Sequence, residues 1–163
     1  MTVLESIRAW LVEQGISFRE VQHEPTPTSE DAARARGEEL RNGGKALLMK
    51  VDDEFALFVL PADRRVDSGT IRRTLGIRKL RFASREELAE LTAGEGREGL
   101  VPGSVPPFGE PILPLRLYVE EAIGGNERIA FNAGSLTDSI ILDVSDYLEI
   151  AQPTRIFGFA ETE

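Results

Sequence analysis

Two apolar runs, Lys45 to Val51 and Phe55 to Leu60, stand next to each other across the short polar link Asp52-Asp53-Glu54. Runs of this length, rich in Leu, Val and Phe and joined by acidic residues, predict the two strands of a hairpin. Neither run alternates cleanly between apolar and polar residues, so both faces of the hairpin must be covered. A chain of 163 residues that is 41% hydrophobic can supply that cover around one core. The expectation is a single domain spanning residues 1–163.

The flanking sequence predicts what provides the cover. Val3, Leu4, Ile7, Trp10 and Leu11 recur at helical spacing, with Thr2 as N-cap and Gly15 as stop. Ile16 to Val21 reads as an alternating strand. Pro25 and Pro27 then force an extended connection, after which Thr28 or Ser29 caps a short helix ending at Gly37. Asp67 or Ser68 caps a helix closed by Gly76, and Ser84 with Glu87 forms a capping box. Further strands are expected over Leu80–Ala83, Leu115–Val119, Arg128–Phe131, Ser139–Leu142 and Ile156–Phe159. Gly124-Gly125-Asn126 reads as a turn, and a helix passes through Tyr147 and Leu148. Strands grouped around hairpins, without regular βαβ alternation, predict a mixed α/β (α+β) fold.

Composition removes several chemistries. There are no cysteines and one histidine, His23, so a thiolate nucleophile, a disulfide framework and a cysteine zinc site are excluded. No metal and no cofactor are expected. His23 has no Gly-x-Ser-x-Gly element to serve and is expected at a pocket rim or in a structural role. Residues Met1 to Leu11 carry Glu5 and Arg8 within a helical pattern, unlike a signal peptide, and no apolar run could span a bilayer. A soluble, cytoplasmic protein without membrane contact is expected. The net charge of −9 argues against a general DNA- or RNA-coating protein. Residues 64–81 nevertheless hold seven basic residues against Asp67 alone, a local +6 that leaves −15 for the remainder. Such a window, including Arg72 and Arg73, is either an anion-binding face or a solvated basic helix with salt-bridge partners elsewhere.

Two features remain. Gly43-Gly44-Lys45 places a lysine at the mouth of an apolar strand, facing solvent or a cleft rim. Val101-Pro-Gly-Ser-Val-Pro-Pro-Phe-Gly109 lies in a long stretch, residues 94–113, that is dense in Gly and Pro. Its prolines stiffen the chain and its glycines permit close approach, which suits a loop offering backbone N–H groups to a ligand oxygen. A plain surface turn is the alternative.

Gly-Gly-Lys-Ala-Leu-Leu-Met-Lys, Leu-Val-Pro-Gly-Ser-Val-Pro-Pro-Phe-Gly and Phe-Asn-Ala-Gly-Ser, in this order and spacing, closely resemble the YbaK/EbsC proteins. These are similar to the editing domain inserted in bacterial prolyl-tRNA synthetases. The likeness runs from the first helix to about Phe159. It implies a curved, mostly antiparallel, barrel-like sheet flanked by helices. It implies metal-free hydrolysis in trans of the ester joining an amino acid to the acceptor end of a mischarged tRNA, the amino acid being small, such as Ala, Ser, Thr or Cys. An aminoacyl-tRNA synthetase is a further partner it suggests.

The family's lysine falls on Lys45 and its Gly-x-x-x-Pro loop on Gly103, Ser104, Val105, Pro106 and Pro107. The segment closing the pocket falls on Asn132, Ala133, Gly134 and Ser135. The amino-acid pocket would also draw on Thr26–Ser29, notably Thr28. Some alanine-specific members carry a histidine after the aromatic residue where this chain has Asn132 after Phe131, a departure that weighs against alanine. In this scheme Lys45 is an electrostatic anchor and the Gly103 loop steadies the oxyanion, while the substrate's ribose hydroxyl helps position the water. Lys45 acting as the base would require strong desolvation and ranks second. Arg72 and Arg73 are candidate contacts to acceptor-stem phosphates. The competing readings are a binding module that holds an aminoacylated ligand or a synthetase without turnover, and a purely structural interaction domain.

Overall fold

The structure, a computed structural model, describes residues 1–162. The hairpin forms where its apolar runs predict it, as β2 (Gly44–Val51) and β3 (Glu54–Pro61), antiparallel with Lys45 opposite Leu60 and Leu47 opposite Phe58. The two faces of β3 enter different clusters. Leu57 and Val59 join a large core with α1 (Val3–Glu13) and α5 (Val144–Ala151). Ala56, Phe58 and Leu60 join a smaller one. The smaller cluster holds Ile71 of α3 (Ser68–Leu75), Tyr118, Phe157 and Phe159. A strand buried on both sides is why its sequence does not alternate.

Around the hairpin a five-stranded sheet runs in the order β5 (Leu80–Phe82), β2, β3, β6 (Arg116–Glu120), β9 (Arg155–Phe157). A three-stranded sheet contains β1 (Arg19–Gln22), β8 (Asp138–Asp143) and β7 (Arg128–Asn132). A two-stranded ribbon pairs β4 (Arg64–Val66) with β10 (Ala160–Thr162). Five of the seven described pairings are antiparallel; β3–β6 and β6–β9 are parallel. The mixed, mostly antiparallel architecture is thus as expected, but the sheets do not close into a barrel. The larger two meet through one isolated bridge, Gly43 to Ala130, and no ladder continues from it.

The helix caps follow their sequence signals. Thr2 and Ser84 form capping boxes for α1 and for α4 (Arg85–Thr92). Thr28 caps α2 (Ser29–Arg36), which ends at left-handed Gly37. Asp67 caps α3, and Asp143 begins α5. The first strand differs from its expected span, starting at Arg19 and not at Ile16, because the Ile16 N–H bonds back to Leu11 O and keeps residues 14–16 in the helix exit. The turn expected at 124–126 is the end of a 3-10 turn over Glu121–Gly125. β4 and β10 were not expected. Each has three residues, and they pair across 94 to 98 positions of sequence, so no local pattern marks them.

The Gly/Pro stretch contains no helix and no named strand, yet it is anchored. Phe108 is fully buried, edge-on to Trp10 at 5.1 Å and to Phe131 at 5.5 Å, and the Tyr147 hydroxyl donates to Pro107 O at 2.7 Å. Burying one such phenyl ring contributes about 1.5–3 kcal/mol. Burial also pushes the Tyr147 hydroxyl far above the ordinary tyrosine range, so it stays a donor. No helix among the described residues is long and apolar enough to cross a membrane.

Candidate functional site

A cleft of about 240 Å³ opens where α2, the start of β2, the Gly103 loop and the end of β7 converge. Glycine makes the convergence possible. A Cβ on Gly44 would lie 2.6 Å from Ile129 Cδ1 of β7, and one on Gly43 would lie 2.9 Å from the Ala62 Cβ, so the two glycines let the start of β2 pack closely against both neighbours. Lys45 follows directly. It is half-buried and lines the cleft with Ala46 and Leu47.

Opposite lies the loop. Val101, Pro102, Gly103 and Ser104 form a type II turn, with Gly103 at φ +88° and the Ser104 N–H donating to Val101 O at 3.1 Å. The Ser104 hydroxyl, 2% exposed, closes the same turn by donating to Val101 O at 2.8 Å and accepting the Val101 N–H at 3.2 Å. The serine is therefore a clamp inside the loop. Two carbonyls of the loop are held from β7 and the turn after it. Asn132 Nδ2 donates to Gly103 O at 2.8 Å, and the Gly134 N–H donates to Ser104 O at 2.9 Å. In a trans peptide the N–H points opposite to the C=O, so fixing Ser104 O aims the Val105 N–H away from Gly134. Val105 itself lines the cleft. Pro106 and Pro107 have no N–H to compete with it.

Of the residues singled out in the sequence, Lys45, Gly103, Val105, Asn132 and Thr28 meet at this cleft, together with Thr26, Pro27 and Ser29. Ser104, Pro106, Pro107, Ala133, Gly134 and Ser135 do not line it. The two prolines are buried beneath, and Ala133 N donates to Asp138 O at 2.9 Å. A Cβ on Gly134 would meet Val3 at 2.8 Å, and the Ser135 hydroxyl pairs with Thr137. These six support the wall and do not form it. Thr28 lines the cleft, but its hydroxyl is engaged in capping α2, accepting the Asp31 N–H at 3.1 Å and donating to the Asp31 carboxylate at 2.8 Å.

Sequence reasoning missed Arg36. It shares the cleft wall and is 7% exposed. Its guanidinium donates to the Ser139 hydroxyl at 2.9 Å, to Asn132 Oδ1 at 3.1 Å and to Ala130 O at 3.4 Å. All three partners are uncharged. Burial pushes its pKa down to about 10, opposed by Glu38, and it remains protonated at neutral pH. The only local signal was Ala32 four residues earlier on the same helical face, also buried. His23 lies in the same network, with Nε2 2.8 Å from the Ser139 hydroxyl and Nδ1 2.8 Å from Glu24 O.

The basic window is partly neutralised. Arg65 pairs with Glu161 at 2.9 Å, and Arg81 grips Glu87 through two bonds at 2.8 and 2.9 Å. Arg72, Arg73, Arg78 and Lys79 remain exposed and are not among the residues that line the cleft. No group of three or more His, Asp or Glu among the described residues is placed to hold a metal ion.

Residues 23–150 match the model of the aminoacyl-tRNA editing domain. The chain is 37% identical over 154 residues to the multifunctional Ser/Thr-tRNA deacylase ProXp-y of Escherichia coli (strain K12), covering 91% of this chain and 87% of that protein. It is 34% identical over 106 residues to the proline--tRNA ligase of Shouchella clausii (strain KSM-K16), covering 65% of this chain and 17% of the ligase. A crystal structure described as "a putative trans-editing enzyme for prolyl tRNA synthetase" superposes with a TM-score of 0.81 at 25% identity, covering 98% of this chain and 97% of that one. The hypothetical protein APE2540 shares the fold, with a TM-score of 0.80 at 21% identity, over 95% of this chain and 99% of that one.

Proposed function

Because the chain belongs to the aminoacyl-tRNA editing domain family, we propose that it is a trans-acting hydrolase that removes a small amino acid from mischarged tRNA. The observation that carries this reading is the placement of Lys45 and the pinned Gly103 turn on one cleft. Water attacks the ester carbonyl, the bond to the ribose oxygen breaks, and that oxygen takes a proton, leaving free amino acid and an intact tRNA end. An ester is activated enough that positioning and oxyanion stabilisation supply most of what is needed. The Lys45 ammonium anchors an oxygen of the terminal adenosine. The Val105 N–H steadies the developing oxyanion, the Ser104 N–H being used within the turn. The ribose hydroxyl of the substrate positions the water.

The amino acids favoured are serine and threonine. The cleft is small and carries Thr26 and Ser29 on its wall, which suit a hydroxylated side chain better than a methyl group. The relative from Escherichia coli acts on Ser- and Thr-tRNA. The test is a deacylation panel of alanine, serine, threonine and cysteine esters on several tRNAs. Serine and threonine are expected to be released above the spontaneous rate. Tight tRNA binding with no release on any ester would replace this reading with a binding module.

The exposed arginines of α3 serve the tRNA body in this proposal. Replacing Arg72 and Arg73 together by Ala weakens tRNA binding and lowers its log–log salt slope by about 1–2. It leaves hydrolysis of a minimal aminoacyl-adenosine unchanged. Equal loss on both substrates would show damage to the fold and no phosphate contact.

A further inference from the structure

Arg36 is a buried cation whose hydrogen-bond acceptors are all neutral, with the charge of Glu38 offsetting only part of its burial, and it sits on the wall of the cleft. Burying a charge in this way is costly, and nothing in the hydrolytic scheme above uses it. The hydrogen-bond chain around it shows what it does. In the neutral imidazole, His23 Nδ1 must carry the hydrogen, because its neighbour Glu24 O can only accept. His23 Nε2 is then an acceptor and takes the single hydrogen of the Ser139 hydroxyl at 2.8 Å, in preference to Asn132 Oδ1, which lies farther from that hydroxyl at 3.2 Å. Arg36 is thereby left as the donor to Asn132 Oδ1. That bond decides which end of the Asn132 amide faces the loop: with Oδ1 held by the guanidinium, Nδ2 is the end presented to Gly103 O, at 2.8 Å.

We infer that Arg36 is a positioning residue for the Gly103 turn, acting through the Asn132 amide to fix the backbone that faces the ester. This rests on the deacylase reading for its effect on rate, but the positioning itself is a property of the free protein. Arg36 spans from α2 to β7 and β8 with three bonds that diverge from one planar group. A lysine cannot reproduce that fork. Asn132→Asp separates positioning from mere stability. Aspartate gives Arg36 a carboxylate to pair with, which compensates the buried charge, yet it has no donor for Gly103 O.

The experiment combines two readouts on wild type, Arg36→Lys, Asn132→Asp and the double variant. The first is amide hydrogen exchange in the free protein at Ser104 and Gly134, whose N–H groups close the turn and pin it. Both single substitutions are expected to speed exchange there by about tenfold or more, with core β3 amides such as Leu57 unchanged. The second is single-turnover deacylation with tRNA affinity measured alongside. The rate constant is expected to fall by about tenfold to a hundredfold with little change in affinity. Arg36→Lys should add nothing further once Asn132 is Asp. Unchanged exchange at Ser104 and Gly134 in both single variants would overturn the proposal whatever the activity. So would multiplicative losses in the double variant, which would mean that Arg36 acts on the substrate directly. If wild type releases no amino acid while the exchange result holds, the deacylase reading fails and the positioning stands.

Discussion

Lys45→Ala slows single-turnover deacylation by about 30- to 1,000-fold, the equivalent of losing about 2–4 kcal/mol of transition-state stabilisation with one preorganised charged donor. The size follows from where the residue stands. Lys45 is half-buried on the cleft wall, not at a solvated strand end, so its charge acts in a medium less screening than water. Lys45→Arg restores the charge but replaces a compact ammonium with a planar fork, and recovers only part of the rate. Stability changes little, since Lys45 is the second residue of β2 and lies outside both apolar clusters. A loss below about 1 kcal/mol would shift the melting midpoint by no more than about 2–4 °C. A wild-type rate for Lys45→Ala would remove the lysine from the site. A collapsed melt would move the explanation to folding.

Gly103→Val carries the second large effect. At φ +88° a β-branched residue is strained by about 1–3 kcal/mol. Space is not the obstacle, because an added Cβ would meet only Leu136 Cδ2, at an ordinary 3.5 Å. The strain is relieved by giving up the type II turn, which releases the Ser104 N–H from Val101 O and swings the Val105 N–H off its line. Deacylation is expected to fall about a hundredfold, the scale of an ångström-sized misplacement. Ser104→Ala is the control. It removes two hydroxyl bonds to Val101 but keeps the backbone bond of the turn, so it costs about 1 kcal/mol of stability and little rate. If Ser104→Ala abolished activity and Gly103→Val did not, a serine-based mechanism would take precedence.

What could be read in the sequence was local. The hairpin was visible because strands buried on both faces lose their alternation, and the helix ends because Thr2, Thr28, Asp67 and Ser84 cap through side chains within three residues. Lys45 and Gly103 were visible as a charged residue at a strand mouth and a glycine in a proline-stiffened loop. Arg36 was not, since its three acceptors lie 94 to 103 positions away and a buried arginine looks like a surface one in an Ala- and Arg-rich helix. Long range also hid the β4–β10 ribbon and the parallel orientation of β6 and β9. A salt-bridge partner of the +6 window was out of view for a similar reason: Arg65 pairs with Glu161, almost a hundred residues on. Ser104, Pro106 and Gly134, which the resemblance gave as pocket residues, lie beside the residues that line the cleft and not among them, because bonds and burial invisible in the sequence hold them in the loop and its neighbour.

The most direct test of the central claim is a turnover count. Protein is mixed with a large excess of tRNA mischarged with serine, in buffer containing a metal chelator, and the amino acid released per protein molecule is followed over time. The account predicts many equivalents released, well above spontaneous hydrolysis, with the yield lost in Lys45→Ala. Release no faster than the spontaneous rate, from folded protein that still binds the tRNA, would contradict it.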